Sequence, residues 1–203
     1  MIGIIDYGAG NLRSVINTLK YLGAESLVSS NPNELSVCDK LILPGVGAFP
    51  AAMRELRERR LDSFITAAAD KGTPLLGICL GAQLLFDYGT EVHEERGLGL
   101  IPGRVRLINT AFRLPHIGWN GLNVLRDSPL LDGLPSDGVY VYFVHSYLCD
   151  CASEDNLAAY ADYGERVAAI VQRGSVFGCQ FHPEKSSTWG LRIIQNYVNF
   201  SRD

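Results

Sequence analysis

The segment that most constrains this chain is Pro74-Leu75-Leu76-Gly77-Ile78-Cys79-Leu80-Gly81. An apolar run of strand length leads into G-x-C-x-G, and the Leu84-Leu85-Phe86 pattern follows. This predicts a buried strand over Pro74 to Ile78, a sharp turn, and a helix from Leu80. A turn this tight strains the backbone of its central residue, and side chains two positions to either side would collide, so both positions need glycine. The turn also sets the Cys79 sulfur at a helix N-terminus, where free N–H groups favour negative charge. An isolated buried cysteine is usually an inert part of the core; the two glycines, the strand and the helix are what favour a nucleophile here. Cys38, Cys149, Cys151 and Cys179 lack that framing and are expected to serve packing.

The preceding residues alternate strand and helix in the same manner. Ile2 to Asp6 reads as a buried strand. Asn11 to Leu22 reads as a helix with Leu12, Val15, Ile16, Leu19 and Leu22 on one face, closed by Gly23. Leu27 to Ser29 reads as a short strand, Lys40 to Pro44 as a strand ending in a glycine-rich loop, and Ala51 to Ala69 as helix broken near Leu61. A β-α alternation of this kind requires a parallel sheet covered by helices on both faces. After Gly97 the pattern changes to short β-prone runs at 104–108, 139–144, 157–163, 167–172 and 176–181. Several of these are expected to be antiparallel and to extend the same core, before a final helix from about Thr188 to Phe200. With 203 residues and no internal repeat or linker, one domain is expected.

Composition narrows the function. The 18 Lys and Arg stand against 22 Asp and Glu, with no basic tract beyond the mixed Arg54 to Arg60 segment, so a nucleic-acid partner is not expected. The longest nearly apolar stretch, Leu75 to Phe86, is too short to cross a bilayer, and Met1-Ile2-Gly3-Ile4-Ile5-Asp6 has no basic n-region, so a cytoplasmic location without a membrane partner is expected. None of the five cysteines forms C-x-x-C, which argues against a disulfide framework or a zinc ribbon. His145, Cys149 and Cys151 lie close in sequence but lack a fourth ligand, so neither a metal nor a cofactor is expected.

A cysteine nucleophile needs a base, and among His93, His116, His145 and His182 the last stands out. Pro183 biases His182 toward extended backbone, and in extended geometry residues two apart point the same way, so Glu184 can orient the His182 ring. Pro44-Gly45-Val46-Gly47 at a strand end supplies a loop whose backbone N–H, with that of Leu80, suits an oxyanion. Asp6-Tyr7-Gly8-Ala9-Gly10 resembles the start of a dinucleotide loop, but Arg13 occupies the third glycine position, and no phosphate-binding loop occurs elsewhere.

These three segments, in this order and spacing, resemble the class I (triad) glutamine amidotransferases over essentially the whole chain. The stretches Ile4 to Leu12, Pro115 to Asn120, Tyr142 to Tyr147 and His182 to Ser186 are most similar to the branch serving histidine biosynthesis. The resemblance implies a flavodoxin-like α/β fold with a central, mostly parallel sheet, helices on both faces and an added antiparallel part. It implies glutamine hydrolysis by Cys79, His182 and Glu184, with Val46 and Leu80 at the oxyanion and Gly45, Gly47, Gln83, His145, Ser146 and Tyr147 around the substrate. It also implies a heterodimer with a (βα)8-barrel cyclase/synthase subunit that takes up the ammonia, with Trp119, Tyr142 and Lys185 facing it. Ala82 departs from the family pattern, in which a bulkier residue, often methionine, stands between glycine and glutamine. Two alternatives remain open at this level: a subunit serving another ammonia-using synthase, as in surface-sugar amidation, and a stand-alone Cys-His γ-glutamyl hydrolase. A regulatory subunit without catalysis would be favoured only by loss of a triad residue.

Overall fold

In the computed structural model, which describes residues 1–201, the first half follows β1 (Ile2–Ile5), α1 (Leu12–Tyr21), β2 (Ser26–Ser29), α2 (Pro32–Leu35), β3 (Lys40–Gly45), α3 (Phe49–Glu58), α4 (Leu61–Asp70), β4 (Leu75–Cys79) and α5 (Leu80–Leu84). The second half follows β5 (Phe86–Gly89), β6 (Glu95–Arg96), β7 (Ile101–Leu107), β8 (His116–Gly121), β9 (Asn123–Val124), β10 (Tyr140–His145), β11 (Tyr147–Cys151), β12 (Leu157–Asp162), β13 (Arg166–Arg173), β14 (Val176–Cys179) and α6 (Ser187–Asn199).

Eight strands form the central sheet in the order β2-β1-β3-β4-β14-β13-β12-β9. The five from β2 to β14 are mutually parallel, in the doubly wound order of flavodoxin-like sheets, while β13, β12 and β9 continue antiparallel. The sheet is therefore mixed. Alternation along the strands divides its side chains between two cores. Ile4, Ile42, Leu76 and Ile78 pack with Val15 and Leu19 of α1 and Ile193, Ile194 and Tyr197 of α6. Ile5, Leu41, Leu43 and Leu75 pack on the other face with Met53 and Leu56 of α3, Ile65 of α4 and Leu84 after the elbow.

The predicted helix from Leu80 is only one turn and a half. It stops at Leu84, and Phe86 starts a strand. Leu84, Leu85 and Phe86 are all fully buried, so the run has no amphipathic period to distinguish helix from strand. Their carbonyls are instead taken by N–H groups of the 98–101 segment. The break near Leu61 is present: Arg60 adopts φ +58 between α3 and α4. The β-rich half extends the central sheet only in part. β8 and β10 form a separate ribbon on the α1/α6 face, and β11-β7-β5-β6 form a small sheet on the other. No helix among the described residues is long and apolar enough to cross a membrane.

Candidate active site

The carboxyl ends of three neighbouring parallel strands, β3, β4 and β14, converge on one point, the usual place for a site in an open α/β sheet. At the end of β4, Cys79 has φ +55 and ψ −112 and is 7% exposed. The flanking glycines are required by direct contact. A Cβ on Gly81 would fall 1.8 Å from the Leu43 carbonyl oxygen of β3, and one on Gly77 would fall 2.6 Å from the Gly81 carbonyl oxygen. The strain at Cys79 is thus held by backbone packed on backbone. Ala82, the departure from the family pattern, packs over β14, where a Cβ on Gly178 would come within 3.0 Å of its methyl.

His182 follows β14 after Gln180 and Phe181. Its N–H donates to the Tyr142 carbonyl (3.0 Å). Its own carbonyl accepts from the fully buried Ser186 hydroxyl (2.7 Å), which in turn accepts from the Tyr142 N–H (2.9 Å). With this backbone fixed, the His182 Nδ1–H donates to Glu184 Oε1 at 2.8 Å, the two side chains being 3% and 1% exposed. Burial alone would lower the His182 pKa, but Cys79 on one side and Glu184 on the other outweigh it and raise it to about 9. The ring is set to be cationic beside the sulfur.

Cys79 and His182 line a cavity of about 340 Å³, together with Val46, Gly47, Leu80 and Gln83. The expected His145, Ser146 and Tyr147 line it too, and Glu91, Pro115 and Val144 join them unforeseen. Gly45 does not line this cavity and lies buried at the strand end, where a Cβ would meet the Tyr7 hydroxyl at 2.6 Å and the Gly81 nitrogen at 2.8 Å. Its role is close packing beneath the elbow. Val46 and Gly47 are exposed at the rim, Gly47 with φ +105.

The Tyr147 carbonyl organises the polar wall. It accepts from Gln83 Nε2 (2.9 Å) and from the His145 Nδ1–H (2.8 Å). Burial lowers the His145 pKa to about 4, so near neutrality its Nε2 carries a lone pair, and that buried atom has no protein partner. Glu91 adds a carboxylate, anchored through Oε2 by the Phe49 N–H at the start of α3 (2.8 Å). A wall of acceptors beside a nucleophile suits a substrate bearing an ammonium and a carboxamide NH₂. No motif marks Glu91, which sits in the irregular loop after β5.

Trp119 and Tyr142 lie directly opposite each other on β8 and β10, with ring centroids 6.2 Å apart at 66°. Trp119 is 53% exposed, Ile117 and Tyr140 are exposed on the same face, and Lys185 is exposed beside the triad. The spacing of the two segments gave no hint of this pairing.

Residues 3–199 match the family model "Glutamine amidotransferase class-I". The chain is 51% identical over 197 residues to "Imidazole glycerol phosphate synthase subunit HisH" of Bacillus cereus strain B4264, covering 97% of this chain and 93% of that protein. It is 45% identical over 202 residues to the protein of the same description from Oceanobacillus iheyensis, covering all of both. Among solved structures it is similar to one described as "Crystal structure of glutamine amidotransferase", with TM-score 0.77 and 23% identity over 97% of this chain and 96% of that one. "Structure of PurLQS from Thermotoga maritima" matches with TM-score 0.78 and 20% identity over 98% and 97%. These two likenesses concern the fold.

Proposed function

The chain belongs to the class-I glutamine amidotransferases, and from that premise we propose that it acts as one domain, the glutaminase subunit of an imidazole glycerol phosphate synthase in histidine biosynthesis. The observation that carries the chemistry is the buried His182–Glu184 pair facing a cysteine held at φ +55 over a cavity of substrate size. Cys79 attacks the glutamine carboxamide carbon, and the oxyanion takes the Leu80 N–H and a second N–H from Val46. His182, held cationic, gives its proton to the departing nitrogen, and ammonia leaves a thioester on Cys79. The ring then takes a proton from water, whose oxygen attacks the thioester and releases glutamate. Glu184 keeps the ring's tautomer and orientation through both halves. Glu91, Gln83 and His145 offer acceptors to the substrate's N–H groups, while Gly47, Ser146 and Tyr147 bound its amino-acid end.

Near neutral pH free ammonia is largely protonated and then no nucleophile, so its use in synthesis calls for a covered path to a second site. The descriptions of the relatives support a partner, and we assign it as a (βα)8-barrel cyclase forming a heterodimer, in the cytoplasm. The ribbon carrying exposed Trp119 and half-buried Tyr142, next to Lys185, is the face assigned to it. Gating follows, with little glutaminase activity in the free subunit and full activity with the liganded partner.

The test is glutamate release by wild type and Cys79→Ala, alone and with the barrel synthase and its nucleotide substrate. Turnover that needs the liganded partner and vanishes in Cys79→Ala is expected. Rapid partner-independent turnover would instead identify a free-standing hydrolase.

A further inference from the structure

Gln180 takes no part in the chemistry above, yet it is 1% exposed and its side chain bonds to Gln83, which lines the cavity. Its Oε1 accepts from Gln83 Nε2 at 3.1 Å and from the Cys149 thiol at 3.7 Å. Burial raises the Cys149 pKa well above its ordinary value, so the sulfur keeps its proton and remains a donor. The directions of these bonds are forced. The Tyr147 carbonyl can only accept, so the Gln83 amide must turn its NH₂ group toward it. That NH₂ then needs an acceptor in Gln180, and the Cys149 S–H supplies a second donor to the same oxygen.

We propose that Gln180 is a positioning residue for glutamine recognition: it holds the Gln83 amide in one orientation, Nε2 inward and Oε1 free at the cavity wall. Without Gln180, one Gln83 N–H loses its buried acceptor and only the bond to the Tyr147 carbonyl is left to hold the amide plane, so Oε1 is presented to the substrate's N–H groups less precisely. The inference rests on the reading that this cavity takes glutamine. Cys149, itself buried, acquires a role in the same chain of bonds.

The experiment compares Gln180→Leu, Gln83→Leu and the double variant in complex with the barrel synthase. The readouts are kcat and KM for glutamine, inactivation of Cys79 by a glutamine-derived diazoketone, and alkylation of Cys79 by iodoacetamide, which needs no recognition. Gln180→Leu is expected to raise KM and weaken diazoketone binding about 5- to 10-fold. Its kcat and iodoacetamide rate should stay within about 3-fold of wild type, and the double variant should be no worse than Gln83→Leu. Cys149→Ala, which keeps the fold if Gln180→Leu does not, is expected to raise KM about 2- to 3-fold. Multiplicative effects in the double variant, a kcat loss at unchanged KM, or an equal loss of iodoacetamide reactivity would overturn the proposal. A wild type that takes neither glutamine nor the diazoketone while still reacting with iodoacetamide would overturn the glutaminase reading itself.

Discussion

Gly81→Ala tests the structural origin of the nucleophile's strain. The added methyl would lie 1.8 Å from the Leu43 carbonyl oxygen, whereas real Cβ contacts essentially never fall below 3.0 Å. The elbow and β3 must therefore part by roughly 1.2 Å, and both sides are backbone, so no side-chain rotamer can absorb the overlap. Leu43 is paired with Gly77, and Gly45 with Cys79, so the displacement also pulls at the β3–β4 ladder next to the catalytic sulfur. Overpacking against movable side chains costs about 1–3 kcal/mol, and this rigid case should cost about 3–5 kcal/mol out of a typical 5–15. Gly121→Ala is the control, because its nearest neighbour, the Tyr140 ring, lies at an ordinary 3.8 Å; its stability should move by less than about 0.5 kcal/mol. Urea midpoints measure the first effect, and glutamate release in the complex, expected to fall at least about 100-fold, measures the second. A Gly81→Ala protein within about 1 kcal/mol of wild type and fully active would refute the account of the elbow as backbone packed on backbone.

Three further outcomes follow from the charges and the exposed ribbon. Because His182 is raised from 6.5 to about 9 in the fold, its stabilising interaction is complete below pH 6.5 and is lost as pH rises through about 9. Glu184→Gln should therefore cost about 2–3 kcal/mol at pH 6 and clearly less above pH 9, read from urea midpoints, and Cys79→Ala should bring the His182 titration below 9 by NMR. Burial lowers both His116 and His145 to about 4, so the fold binds fewer protons than the unfolded chain and loses stability as pH falls from 6.5 toward 4. His116→Phe, which keeps the stacking on Tyr163 (3.9 Å) and Phe143 (4.8 Å), should reduce that acid loss by about 1–2 kcal/mol. Trp119→Ala should weaken synthase binding about 10- to 100-fold in calorimetry while leaving the thermal midpoint of the isolated subunit unchanged.

The placement of Cys79 beside the His182–Glu184 pair was legible in the sequence because its signals are local. A G-x-C-x-G after an apolar run and a His-Pro-Glu after another each encode their own backbone geometry. What could not be read depends on register and on long-range pairing. β8 contains Gly118, Asn120 and Gly121, which hide its alternation, so the Trp119–Tyr142 pair emerges only once β8 and β10 are aligned. β11 follows β10 with only Ser146 between them, yet the two strands belong to different sheets. Glu91 carries no motif, and Gln180 gains its meaning from Gln83, Tyr147 and Cys149, three residues on other elements. The end of α5 at Leu84 leaves no mark in the sequence because a run buried on every side has no period.

The two legs of the triad have different mechanical origins. The His182–Glu184 leg is made by neighbouring residues on one short segment, tied through Ser186 to the backbone of β10. The Cys79–His182 leg is made by the sheet: β4 and β14 are adjacent and parallel, Ile78 pairs with Cys179, and the sulfur and the ring are brought together only while that ladder holds. Anything that loosens β4 against β14 should therefore uncouple the thiol from the imidazole before it uncouples the imidazole from the carboxylate. Partial unfolding in low urea should accordingly drop the His182 pKa and slow Cys79 alkylation while the Nδ1 proton, still bonded to Glu184, stays protected from exchange. Simultaneous loss of all three signals would mean that the local leg also depends on the sheet, and that Ser186 does not anchor it independently.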